Sequence, residues 1–363
     1  MPPVLKIGYI HFGRTTGGIS IYGQALARGL REQGVSTEEW KIERHQDLWN
    51  LWRALRALRG SDIIHLQYCG TWTGRLTAVL TCLMLKSHSD RICLTLHDVY
   101  PELPVKGLFR FPSILHLLPW ASERIVVNHQ EEARRFQVVV PQYQCTVIPH
   151  FVTEHKVPLS PEQARQHLGL SDRIVLTLLG TIIKRKGHEV LLQALPHLPE
   201  NFFVVFAGGP VHVLRDQHDA ILEMIRRNGL ENRVRVTGYL EESQMRLYMQ
   251  ATDLAVCPFL DLSASGTLSL WLGARKPILV TRLPQIDEYN ALSPGAIATV
   301  DPLTPETLAR RILELLPSLR QENEKVGRLA DLLSLPNYIS RYHALYREML
   351  KKPGQRWWRK TES

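Results

Sequence analysis

Short apolar runs bounded by turn residues recur along the whole chain and alternate with segments of helical spacing, and this alternation is the strongest constraint on the fold. In the first half the runs are Val4 to Ile10, Ile63 to Leu66, Ile92 to Leu96, Ile125 to Val127 and Thr146 to Ile148. Ser20 to Gln33 lies between the first two, with Ile21, Ala25, Leu26 and Leu30 at helical spacing, Ser20 as the expected cap and Gly34 as the stop. The series then restarts: Ile174 to Leu179, Phe203 to Ala207, Val234 to Thr237, Leu254 to Cys257 and Ile278 to Thr281. Runs this uniformly apolar belong to parallel strands covered on both faces by crossover helices. The expectation is an α/β chain of two Rossmann-like, doubly wound domains facing a cleft, residues 1–165 and 166–335. Pro158, Pro161 and the polar QARQHLGLSD mark the connection between them. Residues 336–363 form a last part, with helical spacing over Ile339 to Leu350 and a basic tail, KKPGQRWWRKTES, carrying Trp357 and Trp358.

A chain of 363 residues with 44% hydrophobic and 22% charged residues suits two globular domains. No apolar run reaches the roughly 18 to 20 residues of a spanning helix, and MPPVLKIGYIHFG reads as a strand, not a leader. The expected location is the cytoplasm, with the chain starting at Met1 and lying peripherally at the inner membrane face. Cys69, Cys82, Cys93, Cys145 and Cys257 show no paired spacing and are expected as reduced core residues. A net charge of +9 favours acidic partners such as nucleotide diphosphates or anionic lipid. No recognisable nucleic-acid module accompanies that charge, so no nucleic-acid partner is expected.

Three turns carry the chemistry. In GRTTGGISIYGQALARGL, Gly13, Gly17 and Gly18 follow the first strand and open a helix, where backbone N–H groups suit an anionic or sugar ligand, although a glycine turn with no ligand explains the same letters. The spacing is not that of a dinucleotide fingerprint, and no clear acidic residue ends the next strand, which argues against nicotinamide. In LLGTIIKRKGHEVLLQAL, Gly180 ends a strand, Lys184, Arg185 and Lys186 crowd the turn, and Gly187 admits a helix from about His188. Adjacent cations repel unless solvent or an anion compensates them, and the carboxyl end of a strand is where open sheets bind ligands. In SASGTLSLWLGARKP, a helix from about Thr267 to Ala274 begins behind Ser265 and Gly266; its first amides and the hydroxyls of Ser265 and Thr267 suit a diphosphate, although a capped core helix explains the same letters.

With LHDVYPE, VIPHF, FVVFAGGP and VRVTGYLEESQMRLYMQATDLAVCPF, these turns resemble the retaining GT-B glycosyltransferases of family four over most of the chain. The resemblance implies two Rossmann-like domains with a C-terminal helix crossing back to the first. It also implies hexosyl transfer from a nucleotide-diphosphate sugar, with retention and without a metal or other cofactor. The acceptor is then a saccharide or lipid-linked saccharide in polysaccharide or glycoconjugate assembly. It marks His97 near the transferred sugar and Lys186 on the diphosphate as the catalytic pair, although a lone histidine there also suits a structural role at the cleft wall. The donor set becomes Gly17, Gly18, Gly180, Lys184, Arg185, Gly187, Tyr239, Ser265, Gly266 and Thr267. Two departures stand out. Thr181 replaces a usual arginine, leaving Lys184 or Arg185 to supply that charge, and Leu262 and Leu270 occupy the places of a usual glutamate pair. Asp261, Glu241 and Glu242 are the candidate replacements for the pair, and a non-catalytic subunit acting through partner binding is the alternative that the loss supports.

In HQDLWNLWRALRALRG, Trp49, Trp52, Leu55 and Leu58 follow helical spacing. They read either as a core stripe behind a solvated arginine face or, with LFRFPSILHLLPW and the tail, as a membrane-facing surface.

Overall fold

The computed structural model describes residues 4–12, 18–42, 47–68, 75–88, 91–97, 99, 114–154, 158–210, 215–260 and 266–351. The chain forms two compact units, Met1–Phe151 with Leu333–Ser363, and Val152–Leu332.

The first unit runs β1 (Lys6–Phe12), α1 (Gly18–Glu32), β2 (Ser36–Ile42), α2 (Leu48–Ala57), β3 (Ile63–Tyr68), α3 (Arg75–His88), β4 (Ile92–Leu96), α4 (Leu118–Ala121), β5 (Arg124–Val127), α5 (Gln130–Val139) and β6 (Thr146–Val147). The second runs α6 (Pro161–Leu168), β7 (Ile174–Leu179), α7 (His188–Ala194), β8 (Phe202–Ala207), α8 (Arg215–Arg227), β9 (Val234–Val236), α9 (Glu242–Ala251), β10 (Leu254–Cys257), α10 (Gly266–Gly273), β11 (Ile278–Thr281), α11 (Pro284–Leu292), β12 (Ala298–Val300), α12 (Pro305–Leu315) and α13 (Leu319–Leu332). The chain then returns to the first unit as α14 (Leu335–Lys351).

Both sheets have six parallel strands, ordered β2-β1-β3-β4-β5-β6 and β12-β11-β10-β7-β8-β9. The inner strands β4, β8 and β10 are buried at every position, as a sheet covered on both faces requires. One face of the first sheet packs Leu51, Ala54 and Leu55 of α2 and Phe136 of α5. The other packs Leu26 and Leu30 of α1 with Tyr338, Tyr342 and Tyr346 of α14. Gly29 permits this close approach, since a Cβ there would lie 2.0 Å from Ile339 Cδ1.

The strands expected from apolar runs are present, with ends shifted by a residue or two, and two more appear at sheet edges, β2 and β12. The division between units falls at Val152 instead of residue 165, because α6 packs on α9 of the second unit. Ser160 caps α6 in a capping box with Gln163, Pro161 opens it and Gly169 closes it in the left-handed region. The helix after β1 starts at Gly18, so Ser20 lies inside it and is not its cap.

The stripe expected on α2 is also corrected. Leu51, Ala54, Leu55 and Leu58 face the core, whereas Trp49 is 66% exposed. Trp49 stacks on Trp52 with ring centroids 5.0 Å apart, and the Arg56 guanidinium lies over the Trp52 ring. The physical reason is the heptad-like spacing of the leucines, which fill the sheet-facing side and leave the tryptophans on the helix's other flank. Cys93, Cys145 and Cys257 are free, Cys93 and Cys257 being buried. The Trp357 and Trp358 tail lies outside the described residues.

Candidate functional site

In the second sheet the strand order reverses between β7 and β10, which are paired neighbours whose following strands lie on opposite sides. At such a switch point the two departing loops diverge and leave a crevice at the strands' carboxyl ends. The loops here begin after Leu179 and after Cys257, and they bring the basic turn and the SGT helix together.

Gly180 ends β7 with φ +107°, where a side chain is strained, and a Cβ there would lie 2.2 Å from Lys186 Nζ. The missing side chain thus makes room for the lysine. Lys184–Lys186 form a single 3₁₀ turn, and Gly187, at φ +73°, sits so close that a Cβ would meet the Pro258 carbonyl oxygen at 1.9 Å. The turn is thereby pressed against the end of β10, and Leu260 N–H donates to Arg185 O at 2.8 Å. Lys186 Nζ donates to Leu179 O at 3.0 Å and to Thr267 Oγ1 at 2.9 Å. An ammonium has three protons, so one N–H remains for a ligand. Burial, together with the neighbouring Arg185 charge, lowers the Lys186 pKa to about 8, with Cys257 opposing the shift.

Thr267 is the second residue of α10, so its bond to Lys186 fixes the ammonium beside a helix N-terminus. The oriented amides and the cation act on the same small volume, an arrangement that favours an anion. Gly266, first in the helix, is exposed, with no atom of the described residues within 4 Å of where a Cβ would stand. The rest of α10 is apolar apart from Ser269 and anchored by fully buried Trp271, which holds the helix start in place.

Of the expected donor residues, Gly180, Lys186, Gly187, Gly266 and Thr267 come together in this cradle. Lys184 and Arg185 share the turn, but their side chains are exposed and make no ion pair among the described residues. Tyr239 is 84% exposed, and its backbone N–H lies 3.0 Å from where a Gly209 Cβ would stand, next to Gly208. Gly208 was not anticipated as a site residue: its Cβ would lie 2.2 Å from Gly180 O, so a glycine there lets two strand ends meet. The signal was the AGGP following an apolar run. Gly18 opens α1, whereas Gly17 and Ser265 lie outside the described residues, as do Asp261 and Leu262. Glu241 and Glu242 are otherwise engaged: Glu241 is the N-cap of α9, where its amide meets Gln244 Oε1, and Glu242 pairs with Arg246. The Arg275–Lys276 pair is structural as well. Arg275 binds Asp331, and Lys276 Nζ donates to the carbonyls of Gln250 and Thr252 at the end of α9.

His97 follows β4 in the first unit and is 4% exposed. Its Nε2 lies 2.7 Å from Gln67 Oε1, and its ring stacks on His150 at 5.1 Å. Burial, with a smaller contribution from the His11 charge, lowers its pKa to about 3, so at neutral pH it is an uncharged imidazole.

This arrangement of two parallel six-stranded sheets matches solved structures along nearly their whole length. A glycosyltransferase of Rickettsia africae superposes with a TM-score of 0.74 at 16% identity, covering 96% of this chain and 99% of that one. The HepE protein of Anabaena, solved with UDP and glucose, superposes with a TM-score of 0.70 at 17% identity over 95% of this chain and 100% of that one. The fold is that of the GT-B glycosyltransferases. Within it, residues 173–318 match the family described as Glycosyl transferases group 1. D-inositol 3-phosphate glycosyltransferase 2 of Catenulispora acidiphila is 28% identical over 149 residues, 38% of this chain and 35% of that protein. The putative teichuronic acid biosynthesis glycosyltransferase TuaC of Bacillus subtilis is 26% identical over 231 residues, 61% of this chain and 53% of that protein. The chain thus matches about half or less of the length of these curated relatives. The cradle built from Gly180, Lys186, Gly187 and Thr267 falls inside residues 173–318.

Proposed function

We propose that this GT-B chain transfers a hexosyl group from a nucleotide-diphosphate sugar to a saccharide or lipid-linked saccharide acceptor, in polysaccharide or glycoconjugate assembly. The observation that carries the reading is the position of Lys186 Nζ, bonded to Thr267 Oγ1 and Leu179 O at the switch point of the second sheet. The HepE complexes with UDP and UDP-glucose support a nucleotide sugar as the donor class.

Breaking the bond between the sugar C1 and the diphosphate oxygen builds negative charge on that oxygen. Fixed donors aimed at it stabilise the transition state more than the ground state. In this proposal Lys186 and the first amides of α10 take that role without a metal. The acceptor oxygen bonds to C1 on the face the diphosphate leaves, its proton passes to the leaving phosphate, and the anomeric configuration is retained. His97 adjoins the transferred sugar, and the leucines in place of the glutamate pair leave the sugar and ribose to other groups. No finding here favours the alternative of a non-catalytic subunit.

Binding of UDP and GDP, measured by calorimetry across pH, tests the reading. The diphosphate needs the ammonium form of Lys186, which the free protein holds below its pKa of about 8 and loses above it. Binding raises that pKa, so affinity should fall as pH rises, by about tenfold between pH 7 and 9. Lys186→Arg, which keeps its charge at the higher pH, should flatten the profile. Absence of binding to either nucleotide overturns the proposal.

A peripheral membrane site on α2 belongs to the same reading. The helix carries Arg53 and Arg56 and no acid, beside the exposed Trp49–Trp52 stack. Tryptophan beside arginine suits the headgroup layer of an anionic bilayer. Arg53→Ala with Arg56→Ala should weaken co-sedimentation with anionic vesicles roughly tenfold or more and leave neutral vesicles unaffected. Equal retention on anionic vesicles sinks the membrane site and leaves the donor reading untouched.

A further inference from the structure

Strands β1, β3 and β4 place their odd-numbered side chains on the face that α1 and α14 cover, with Tyr9 in register with His65 and His11 with Gln67. Where such a face is ordinarily apolar, this one carries His65, Gln67, Thr95 and His97, all buried. α14 meets them with tyrosines four residues apart. Tyr342 OH lies 3.0 Å from Thr95 Oγ1, and Tyr346 OH lies 2.6 Å from His65 Nδ1 and 2.8 Å from Tyr9 OH. His65 Nε2 lies 2.7 Å from Thr95 Oγ1 and 3.4 Å from Gln67 Nε2.

The glutamine gives this network a direction. Its Oε1 only accepts and its Nε2 only donates. Oε1 faces His97 Nε2, so His97 carries its proton there and Nδ1 is the bare acceptor. Gln67 Nε2 donates to His65 Nε2, so that nitrogen is bare and His65 carries its proton on Nδ1, donating to Tyr346 OH. Thr95 then donates to His65 Nε2 and accepts from Tyr342, while Tyr346 donates to Tyr9. His65 Nε2 thus receives the Thr95 hydroxyl at the shorter distance and the Gln67 amide at the longer one, and reversing the His65 proton would set two donors face to face at Gln67.

We infer that Tyr346 of the C-terminal helix sets the tautomer of His97 through His65 and Gln67, which act as positioning residues for the imidazole beside the reacting sugar. The role of His97 in turnover rests on the transferase reading above; the proton arrangement does not. Which imidazole nitrogen presents a lone pair decides whether the ring accepts from or donates to a substrate hydroxyl. The helix that closes the first core thereby also selects the chemistry of His97.

The test uses the full chain with ¹⁵N-labelled histidine, reading both ring nitrogens of His97 by long-range proton–nitrogen correlation at neutral pH. The wild type should show a protonated Nε2 and a bare Nδ1. Tyr346→Phe keeps the ring but removes the His65 acceptor. His65 should then move its proton to Nε2, Gln67 should turn its amide, and His97 should appear with its proton on Nδ1. Adding Gln67→Glu to Tyr346→Phe should restore the Nε2–H form, because a carboxylate only accepts. If nucleotide-sugar turnover is present, Tyr346→Phe should lower kcat roughly tenfold or more, with KM for the donor within about twofold. A His97 spectrum unchanged in Tyr346→Phe overturns the relay, and a changed spectrum with kcat intact overturns its bearing on turnover. Absence of turnover in the wild type overturns the transferase reading instead and leaves the spectral result to stand by itself.

Discussion

Lys186→Ala is expected to lower kcat with the cognate nucleotide sugar by about 10²–10³, the usual cost of removing one fixed donor from a developing oxyanion. Two features direct this loss to chemistry and not to folding. The ammonium bonds are to a carbonyl and a hydroxyl, and Thr267 Oγ1 itself lies 3.3 Å from Leu179 O as a donor, so the strand end keeps a partner when the lysine is gone. The helix N-terminus also remains, held by Trp271, so nucleotide binding should weaken less than turnover. Steady-state kinetics beside a thermal melt separates the two. Turnover within a factor of two of wild type would remove the lysine from the mechanism.

Gly187→Ala should act through the backbone. At φ +73° an alanine costs about 1–2 kcal/mol by itself. Its Cβ would also press on the Pro258 carbonyl, at 1.9 Å from the oxygen and 2.9 Å from the carbon, and neither atom has a rotamer to escape into. The turn and the end of β10 must part, for a total of roughly 3 kcal/mol or more. That corresponds to a fall in Tm of roughly 6–12 °C for a unit of this size. Gly229→Ala supplies the control, since Gly229 has φ +61° but nothing of the described residues within 4 Å of its missing Cβ. It should lose only the backbone contribution. Equal melting temperatures for the two variants would mean that the Pro258 contact yields easily.

How much of this was legible in the sequence follows burial. The inner strands announced themselves because both faces are covered and the runs are apolar throughout, as in IVLTLL and FFVVFA. Strands β2 and β12 did not. Each lies at a sheet edge, and STEEWKI is mostly polar, with only Trp40 and Ile42 apolar, because one side meets solvent. The cradle was readable because three adjacent cations, between Gly180 and Gly187 at the end of an apolar run, repel unless solvent or an anion compensates them. Its departure from expectation concerns Lys184 and Arg185, which the 3₁₀ turn leaves exposed while it turns Lys186 inward. The polar positions of HLQY and the tyrosines of NYISRYHALY were visible as letters. What they bond to was not, because the partners are hundreds of residues apart and no local period connects them.

That separation also bears on how the molecule is made. Tyr9 and Tyr346 share a hydrogen bond across 337 positions of chain, and one face of the first sheet is covered by the helix that contains Tyr346. During synthesis that side of the opening sheet therefore waits with only α1 to cover it until α14 has emerged. The intervening unit, continuous from Val152 to Leu332, has all its own strands in hand earlier. The portion translated second is thus the first able to finish, and the portion translated first stays exposed to chaperones and proteases the longest.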